Sequence, residues 1–355
     1  MPPWSVEFRH PLQMAYAKQA LAFIRLKSGV SLTPTGEDYL LALPSHGLLL
    51  TQGAQIQMAR AFTGRNSTLE IAAGLSCEVA AVGEFVELLQ SHGFVDELGE
   101  PIFEGTDDLS EQLITSRGVT ERALLTHRAG SRDGGAEEFQ DREAATILIS
   151  GENRLARNLL VGLQASGFTN TRLISRAHLP ARLTGADICG LAVRASDIGK
   201  LRREFTAELI RNSQIARGQQ VAKPFPDLII STVPVEWDYV QRWMSEGSRH
   251  LHINQIVGQE IEVGPLVIPG ATPCLRCVAL IKRDNGASVG HESLRTELPS
   301  AAVAFISGLV ALAVGEYFAT GVTPFHAASY WYDLLNPLRA PEVRHWNFHP
   351  ECGCR

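Results

Sequence analysis

Cysteine is scarce in this sequence, with six in 355 residues. That is too few for the dense disulfide framework on which small secreted domains rely. A basic excess is missing as well. Lysine and arginine number 32 against 38 acidic residues, a net charge of −6, which excludes the electrostatic footprint of a dedicated nucleic-acid binder. The first residues, Met1-Pro2-Pro3-Trp4-Ser5-Val6-Glu7, carry neither the basic region nor the long apolar run of a secretory signal. Internal repeats and low-complexity tracts are lacking. No apolar run reaches the roughly 20 residues that span a bilayer, and the nearest one, residues 301–314, stops short of Glu316. What remains is globular in character: 45% hydrophobic and 20% charged residues exclude wholesale disorder. The length calls for two domains.

Four of the six cysteines form two tight pairs. Gly270-Ala271-Thr272-Pro273-Cys274-Leu275-Arg276-Cys277 contains a CxxC, and His349-Pro350-Glu351-Cys352-Gly353-Cys354-Arg355 contains a CxC. Two pairs of thiols in Gly/Pro turns are what a tetrahedral Zn2+ site takes from two chain segments. Four ligands leave no open coordination position, so the expected role is structural. Two unrelated free pairs, or a redox CxxC, remain as alternatives, and His349 is a substitute ligand. Cys77 and Cys189 lie in apolar stretches and read as buried bystanders. The pairs flank the apolar run 301–314, and a membrane crossing there would put them on opposite sides. A buried helix in a cytoplasmic protein is therefore expected, with no membrane partner.

The pattern along the chain divides it into residues 1–103, a linker at 104–143 and a second domain at 144–355. In the first part, short apolar runs at 30–32, 39–43 and 48–51 are separated by Pro34-Thr35-Gly36 and Pro44-Ser45-His46-Gly47, which predicts a meander of three strands. Helical periodicity follows over 56–62, again after a cap at Asn66 or Ser67, and over 77–91, before a closing strand at 94–95. Strands, three helices and a strand make a winged-helix pattern. The charged stretch 104–143 has little apolar periodicity and reads as a linker with one helix inside it. After it, strands are expected at 145–150, 171–175, 188–193, 227–233 and 250–257, with helices at 153–166 and 198–216. Such alternation implies a mainly parallel sheet with helices on its faces.

The first of these strands runs into Gly151-Glu152-Asn153-Arg154-Leu155-Ala156 and then a helix, the position of a glycine-rich phosphate loop. Only the first glycine is present. Asn153 and Ala156 stand at the other two places, although asparagine tolerates a left-handed backbone and alanine still packs closely. Gly151, Asn153 and Arg154 are thus the candidate nucleotide contacts, against the alternative of a strand–turn–helix with no ligand. Ser175-Arg176 stands where an acid would hold a ribose.

Val263-Gly264-Pro265-Leu266-Val267-Ile268-Pro269-Gly270, leading into Cys274 and Cys277 and closed by Cys352 and Cys354, resembles the ThiF-type fold of the adenylating enzymes related to ubiquitin activation. More narrowly, it resembles the ThiF-like cyclodehydratase partner proteins of gene clusters for thiazole- and oxazole-modified microcins. The resemblance covers residues 25–98 and 144–355. It implies an α+β N-terminal winged-helix peptide-recognition module followed by an α/β, Rossmann-type ThiF-like domain with a structural zinc site. In that family the first module binds the leader of a ribosomal precursor peptide and the second hands the peptide to a YcaO-type cyclodehydratase. A homodimer is also implied.

The sequence departs from the adenylating members of that family. Besides the broken loop and the missing ribose acid, Ser231 and Thr232 stand where a magnesium-binding aspartate is expected, and no further cysteine suits a thioester. Without such ligands nothing stabilises charge on a transferred phosphoryl group, so ATP is not an expected cofactor and no catalytic residue is assigned. The implied mechanism is strand addition: a disordered leader pairs with the edge formed by Leu48, Leu49, Leu50 and Thr51. Val82, Phe85, Val86 and Leu89 on the third helix would make the opposite wall, although residues at that spacing are equally read as core. A DNA-binding regulator is the remaining reading, and Glu78, Glu84 and Glu87 on the same helix oppose it. An ATP-dependent enzyme acting on a peptide is the alternative function.

Overall fold

A computed structural model of the chain describes residues 21–51, 53–99, 101, 120–128, 130–174, 182–190, 192–213, 223, 225–254, 259–286 and 298–354. The chain forms two compact units, residues 1–139 and 140–355.

In the first unit β2 (Ser31–Thr35), β3 (Asp38–Leu43) and β4 (His46–Leu50) make the expected meander, paired antiparallel in the order β2-β3-β4. Pro34 lies within β2, not in the break after it, and this is tolerated because β2 is an edge strand. The alternation of the strands decides their two faces. Leu41 and Leu48 pair on the inner side, with Leu41 fully buried, whereas the pair Leu40 and Leu49 faces outward. A second antiparallel sheet, in the order β5-β1-β6, consists of β1 (Phe23–Leu26), β5 (Thr63–Ser67) and β6 (Val95–Leu98). The sequence Thr-Gly-Arg-Asn-Ser of β5 has no apolar alternation, so this strand exists only through its pairing with β1.

Among the described residues the unit also holds the helices α1 (Gly53–Ala61), α2 (Thr68–Gly74) and α3 (Val79–Ser91), and a short helical stretch at 120–125. Ser67 caps α2 in a reciprocal box with Glu70, which satisfies amide groups that a helix start leaves free. The apolar stripe of α3 enters a core with Ile24, Leu41, Leu50, Phe62 and Phe94. Within the stretch read as a linker, the described residues include a helix, α4 (Ala136–Ala144), which runs up to the first strand of the second unit.

The second unit is built on a seven-stranded sheet in the order β13-β12-β11-β10-β9-β7-β8. Its parallel half comprises β7 (Thr146–Ser150), β8 (Asn170–Ile174), β9 (Leu228–Ser231) and β10 (His250–Ile253). The other half is antiparallel: β11 (Glu260–Val267), β12 (Ala328–Asp333) and β13 (Glu342–His345). The expected mainly parallel sheet is therefore mixed, because β11, β12 and β13 each pair antiparallel with the strand before them. The strand expected at 188–193 is a tight turn closed by one bridge, Cys189 to Val193. Its apolar residues serve a small side core with Leu183 and Phe205.

Helices α5 (Arg154–Ala165), α6 (Arg202–Ser213), α7 (Trp237–Ser245) and α8 (Leu275–Asp284) fall between the strands. The apolar run reads in the structure as α9 (Ser300–Thr320), a helix of 21 residues, longer than the sequence suggested. It ends at Gly321 in the left-handed conformation. Among the described residues it is the one helix long and apolar enough to cross a membrane. Here Val303, Ile306, Val310, Val314 and Tyr317 lie in the main core with Leu159, Leu163 and Ile230, and the helix packs against α5.

Candidate functional site

The four paired cysteines come together as expected. β11 ends at Val267 and turns through Gly270, with the Ile268 amide donating to Thr272 Oγ1 at 2.8 Å and those of Ala271 and Thr272 to the Ile268 carbonyl. That turn places Cys274 at the N-cap of α8 and Cys277 in its first turn. The tail brings Cys352 to 3.4 Å from Cys274 and Cys354 to 3.4 Å from Cys277, while Cys274 and Cys277 are 3.9 Å apart. All four sulfurs lie within 4.8 Å of one another. A zinc–sulfur bond of about 2.3 Å sets the edges of a tetrahedron at about 3.8 Å, so the donor set fits a closed tetrahedral centre.

The surroundings agree with that fit. The His349 amide donates to Cys277 Sγ at 3.4 Å, the kind of bond that orients a metal-bound thiolate. Its ring is engaged elsewhere: Nε2 pairs with Asp284 at 2.8 Å and Nδ1 accepts from the Glu351 amide. The His349 ring is thus engaged away from the four sulfurs, which leaves Cys277 as the fourth donor of the cluster. Burial, and then the neighbouring thiols, push the Cys354 thiol up to about 11 and raise that of Cys352 too. At Cys277 burial also pushes upward but is outweighed by the His349 amide and the adjacent thiols, and the thiol is lowered. A divalent cation is what lets four such groups ionise together. Cys189 is buried against Asn158 and Cys77 is half-buried, both apart from this cluster.

The loop after β7 sits where the strand order reverses, between β7 and β9, the crevice that binds ligands in open α/β sheets. Gly151 has φ +132°, and a side chain there would strike Thr232 Oγ1. Asn153 is the N-cap of α5: its Oδ1 accepts from the Ala156 amide and its Nδ2 donates to the Thr232 carbonyl, both at 2.8 Å. Arg154 turns across the crevice and donates to the carbonyls of Leu298 and Ile188 and to Ser300 Oγ. The helix-start donor that would meet a phosphate is thus already capped from within. Ser231 donates to the Val233 carbonyl and Thr232 to that of Ser150, so neither hydroxyl proton is free. Ser175 and Arg176 lie outside the described residues.

Behind the loop is a buried charge cluster that the sequence did not advertise. Arg157 is fully buried and pairs with Asp187 at 3.0 Å and Glu152 at 3.4 Å, and Arg202 holds both oxygens of Asp187. Burial raises the Asp187 carboxyl, but the hydrogen bonds of Arg202, Thr184 and Arg157 outweigh it and hold the group far below the usual range. The partners are 30 and 15 residues apart, and no local spacing links them.

The peptide-contact residues divide into two groups. Leu50, Val82, Phe85, Val86 and Leu89 are 0–5% exposed and belong to the core of the first unit, so as placed they touch no docked chain. Helical spacing identified the buried stripe of α3 but not what buries it. Toward solvent α3 turns Glu84, Glu87 and Leu88. β4 is an edge strand as expected, with Leu48 half-buried, Leu49 50% exposed and Thr51 exposed just beyond it.

No family model matches this chain, and no curated protein matches it. Solved structures do. E. coli MccB with ATP is 12% identical, with a TM-score of 0.56 over 93% of this chain and 99% of that one. The microcin C7 biosynthetic enzyme MccB with N-formylated MccA gives 12% identity and a TM-score of 0.55 over 93% and 99%. The heterocyclase TruD is 11% identical, with a TM-score of 0.56 over 94% of this chain but 42% of its own length. The chain has the fold of MccB. The match with MccB runs over nearly the whole of both chains, so it takes in the N-terminal unit as well as the seven-stranded sheet.

Proposed function

We propose that this chain is a non-catalytic, leader-peptide-binding and delivery subunit of ribosomal peptide maturation. It would present a precursor to a YcaO-type cyclodehydratase for azoline and azole formation. The observation that carries the reading is the combination of an MccB-like fold with a β7–α5 loop whose Asn153, Arg154 and Thr232 are bonded to the protein itself. MccB is described in complex with the peptide MccA, and TruD as a heterocyclase. Those properties belong to the neighbours and support the reading here by likeness of fold.

The winged-helix module, residues 1–103, is the proposed peptide reader, joined through 104–143 to the ThiF-like domain. The backbone of Leu48, Leu49, Leu50 and Thr51 would take the leader as an added strand. Cys274, Cys277, Cys352 and Cys354 would hold a structural Zn2+ that ties the tail to α8. The outward stripe of α9, with Phe305 and Leu312 exposed, is the proposed face between two copies of the chain, which work in the cytoplasm. Peptides selected from a random display library on the full chain should lose binding in Leu49→Asp while thermal unfolding is unchanged. Peptides that keep binding in that variant would count against strand addition at β4.

A second reading, an ATP-dependent enzyme acting on a peptide, has one specific observation in its favour. Among the described residues, buried Ser150 Oγ, Arg154 Nε, Arg157 Nε and Asn158 Nδ2, all within eight residues of Gly151 in sequence, have no hydrogen-bond partner, and MccB is described with ATP. Pyrophosphate exchange with the purified chain and the selected peptides separates the two: turnover establishes the enzyme, and silence supports the delivery subunit.

A further inference from the structure

The first unit contains a cavity of about 730 Å³ that no role above uses. Four segments converge on it: the β1–β2 turn at 27–29, the β3–β4 turn at 43–46, the end of α3 at 90–93, and residues 127, 128 and 130–132. Its lining has a marked chemical bias. Lys27, Arg128, Arg132, His46, His92 and His127 contribute to it, and among the described residues no aspartate or glutamate does. In a chain of net charge −6 this is a local inversion of sign.

The charges do not cancel beneath the surface. Lys27 and Arg25 share a single fully buried carboxylate, Asp96, at 3.6 and 3.5 Å, which leaves one positive charge in excess. Arg128 is neutralised by Glu138 at 2.7 Å. Arg132 is exposed and has no side-chain partner among the described residues, while its carbonyl is fixed by the Glu97 amide. The imidazoles are oriented by neighbouring groups, and His46 is held through both nitrogens, Nδ1 lying 2.8 Å from Ser45 Oγ. His46 Nε2 bonds to the His92 carbonyl at 2.7 Å, His92 Nδ1 to that of Leu88 at 2.9 Å, and His127 Nε2 to that of Ser28 at 2.7 Å. Among the described residues, His92 Nε2 and His127 Nδ1 have no hydrogen-bond partner. The carbonyls of the α3 end, which would repel an anion, are thereby covered by ring nitrogens.

We infer that this cavity binds carboxylate side chains of an acidic stretch in the peptide that pairs with β4. The inference rests on the peptide-binding reading. His46 is both the first residue of β4 and a wall of the cavity, so a strand added to that free edge passes the cavity mouth. The donors present, a guanidinium and imidazole nitrogens, are those that recognise carboxylates by charge-assisted hydrogen bonds. A nucleic-acid backbone offers the same sign of charge but would also have to lie against exposed Glu78, Glu84 and Glu87, so the acidic peptide is favoured.

Fluorescence polarisation on the full chain tests this with three labelled probes: hexaglutamate, hexaglutamine and a thymidine oligonucleotide. Hexaglutamate should bind saturably and weaken with salt, and hexaglutamine should not bind. Arg132→Glu and His127→Glu should each weaken hexaglutamate roughly tenfold or more, the worth of a charge-assisted hydrogen bond. Both positions are exposed, and the milder Arg132→Gln should shift affinity in the same direction with thermal unfolding unchanged. Absence of hexaglutamate binding, binding indifferent to these substitutions, or tighter binding of the oligonucleotide would each overturn the assignment. Leu49→Asp keeps the two readings apart. Hexaglutamate binding that survives Leu49→Asp but not Arg132→Glu supports the cavity whatever becomes of strand addition. Display-selected acidic peptides lost in Leu49→Asp but not in Arg132→Glu sink the cavity alone.

Discussion

Gly151 and His250 show how much single positions are constrained. At Gly151 a β-carbon would collide with Thr232 Oγ1 in a backbone conformation, φ +132°, that side chains rarely adopt. Gly151→Ala should therefore destabilise the chain by roughly 1–3 kcal/mol, as overpacking does, read as a lower urea midpoint with the slope unchanged. Gly264 is of the same kind: with φ +99°, an added carbon would meet the Ala328 carbonyl across the β11–β12 pair. His250 is buried beside Trp243 with Nδ1 bonded to the Ser248 carbonyl, and burial lowers its pKa to about 4. The unfolded chain binds that proton near pH 6.5 and the folded one does not. Its contribution is thus complete above about pH 6.5 and declines by roughly 3 kcal/mol as the pH falls to 4. His252 is lowered in the same direction, again by burial first. Urea titrations from pH 7 to 4 should show a shallower decline in His250→Gln than in the parent chain.

At the scale of elements, the α8 turn and the C-terminal tail depend on each other. Cys352 and Cys354 are 78 and 77 residues from their partners, so a metal there closes a long loop. The purified chain should carry one zinc, measured by mass spectrometry of the metal. Cys352→Ser should lose it and lower the unfolding temperature, because metal binding to a site absent from the unfolded chain is folding free energy. Helix α9 presents a different problem. Its inner stripe fills the main core, yet Leu312 is 71% and Phe305 39% exposed on the other side, and no charged residue precedes Glu316. That stripe is the face proposed above for a second copy.

For the whole molecule, the proposed reading divides tasks between the two units and adds a second copy. Sedimentation should show a dimer for the parent chain. Phe305→Glu with Leu312→Glu should shift it to monomer without changing helix content by circular dichroism, whereas an unchanged dimer would place the interface elsewhere. The delivery reading also predicts that the monomeric variant still binds display-selected peptides, since β4 lies in the first unit and α9 in the second.

What the sequence determined by itself was whatever rests on local chemistry. Paired cysteines in Gly/Pro turns announced a four-thiol cluster, and a cap at Asn66 or Ser67 marked the start of α2. Apolar periodicity located α3, α5 and α9 and the strands β3, β4, β7 and β9. Tertiary structure alone decided the rest, because it depends on partners distant in the chain. β5 became a strand through pairing and not through propensity, and β11–β13 turned a mostly parallel sheet into a mixed one. Val82, Phe85, Val86 and Leu89 proved to be core, since periodicity gives a stripe without saying whether protein or ligand covers it. The Arg157–Asp187–Arg202 cluster and the cationic cavity have no sequence signature at all. Both arise where segments far apart in the chain converge, and charge complementarity across such gaps is visible only once the chain has folded.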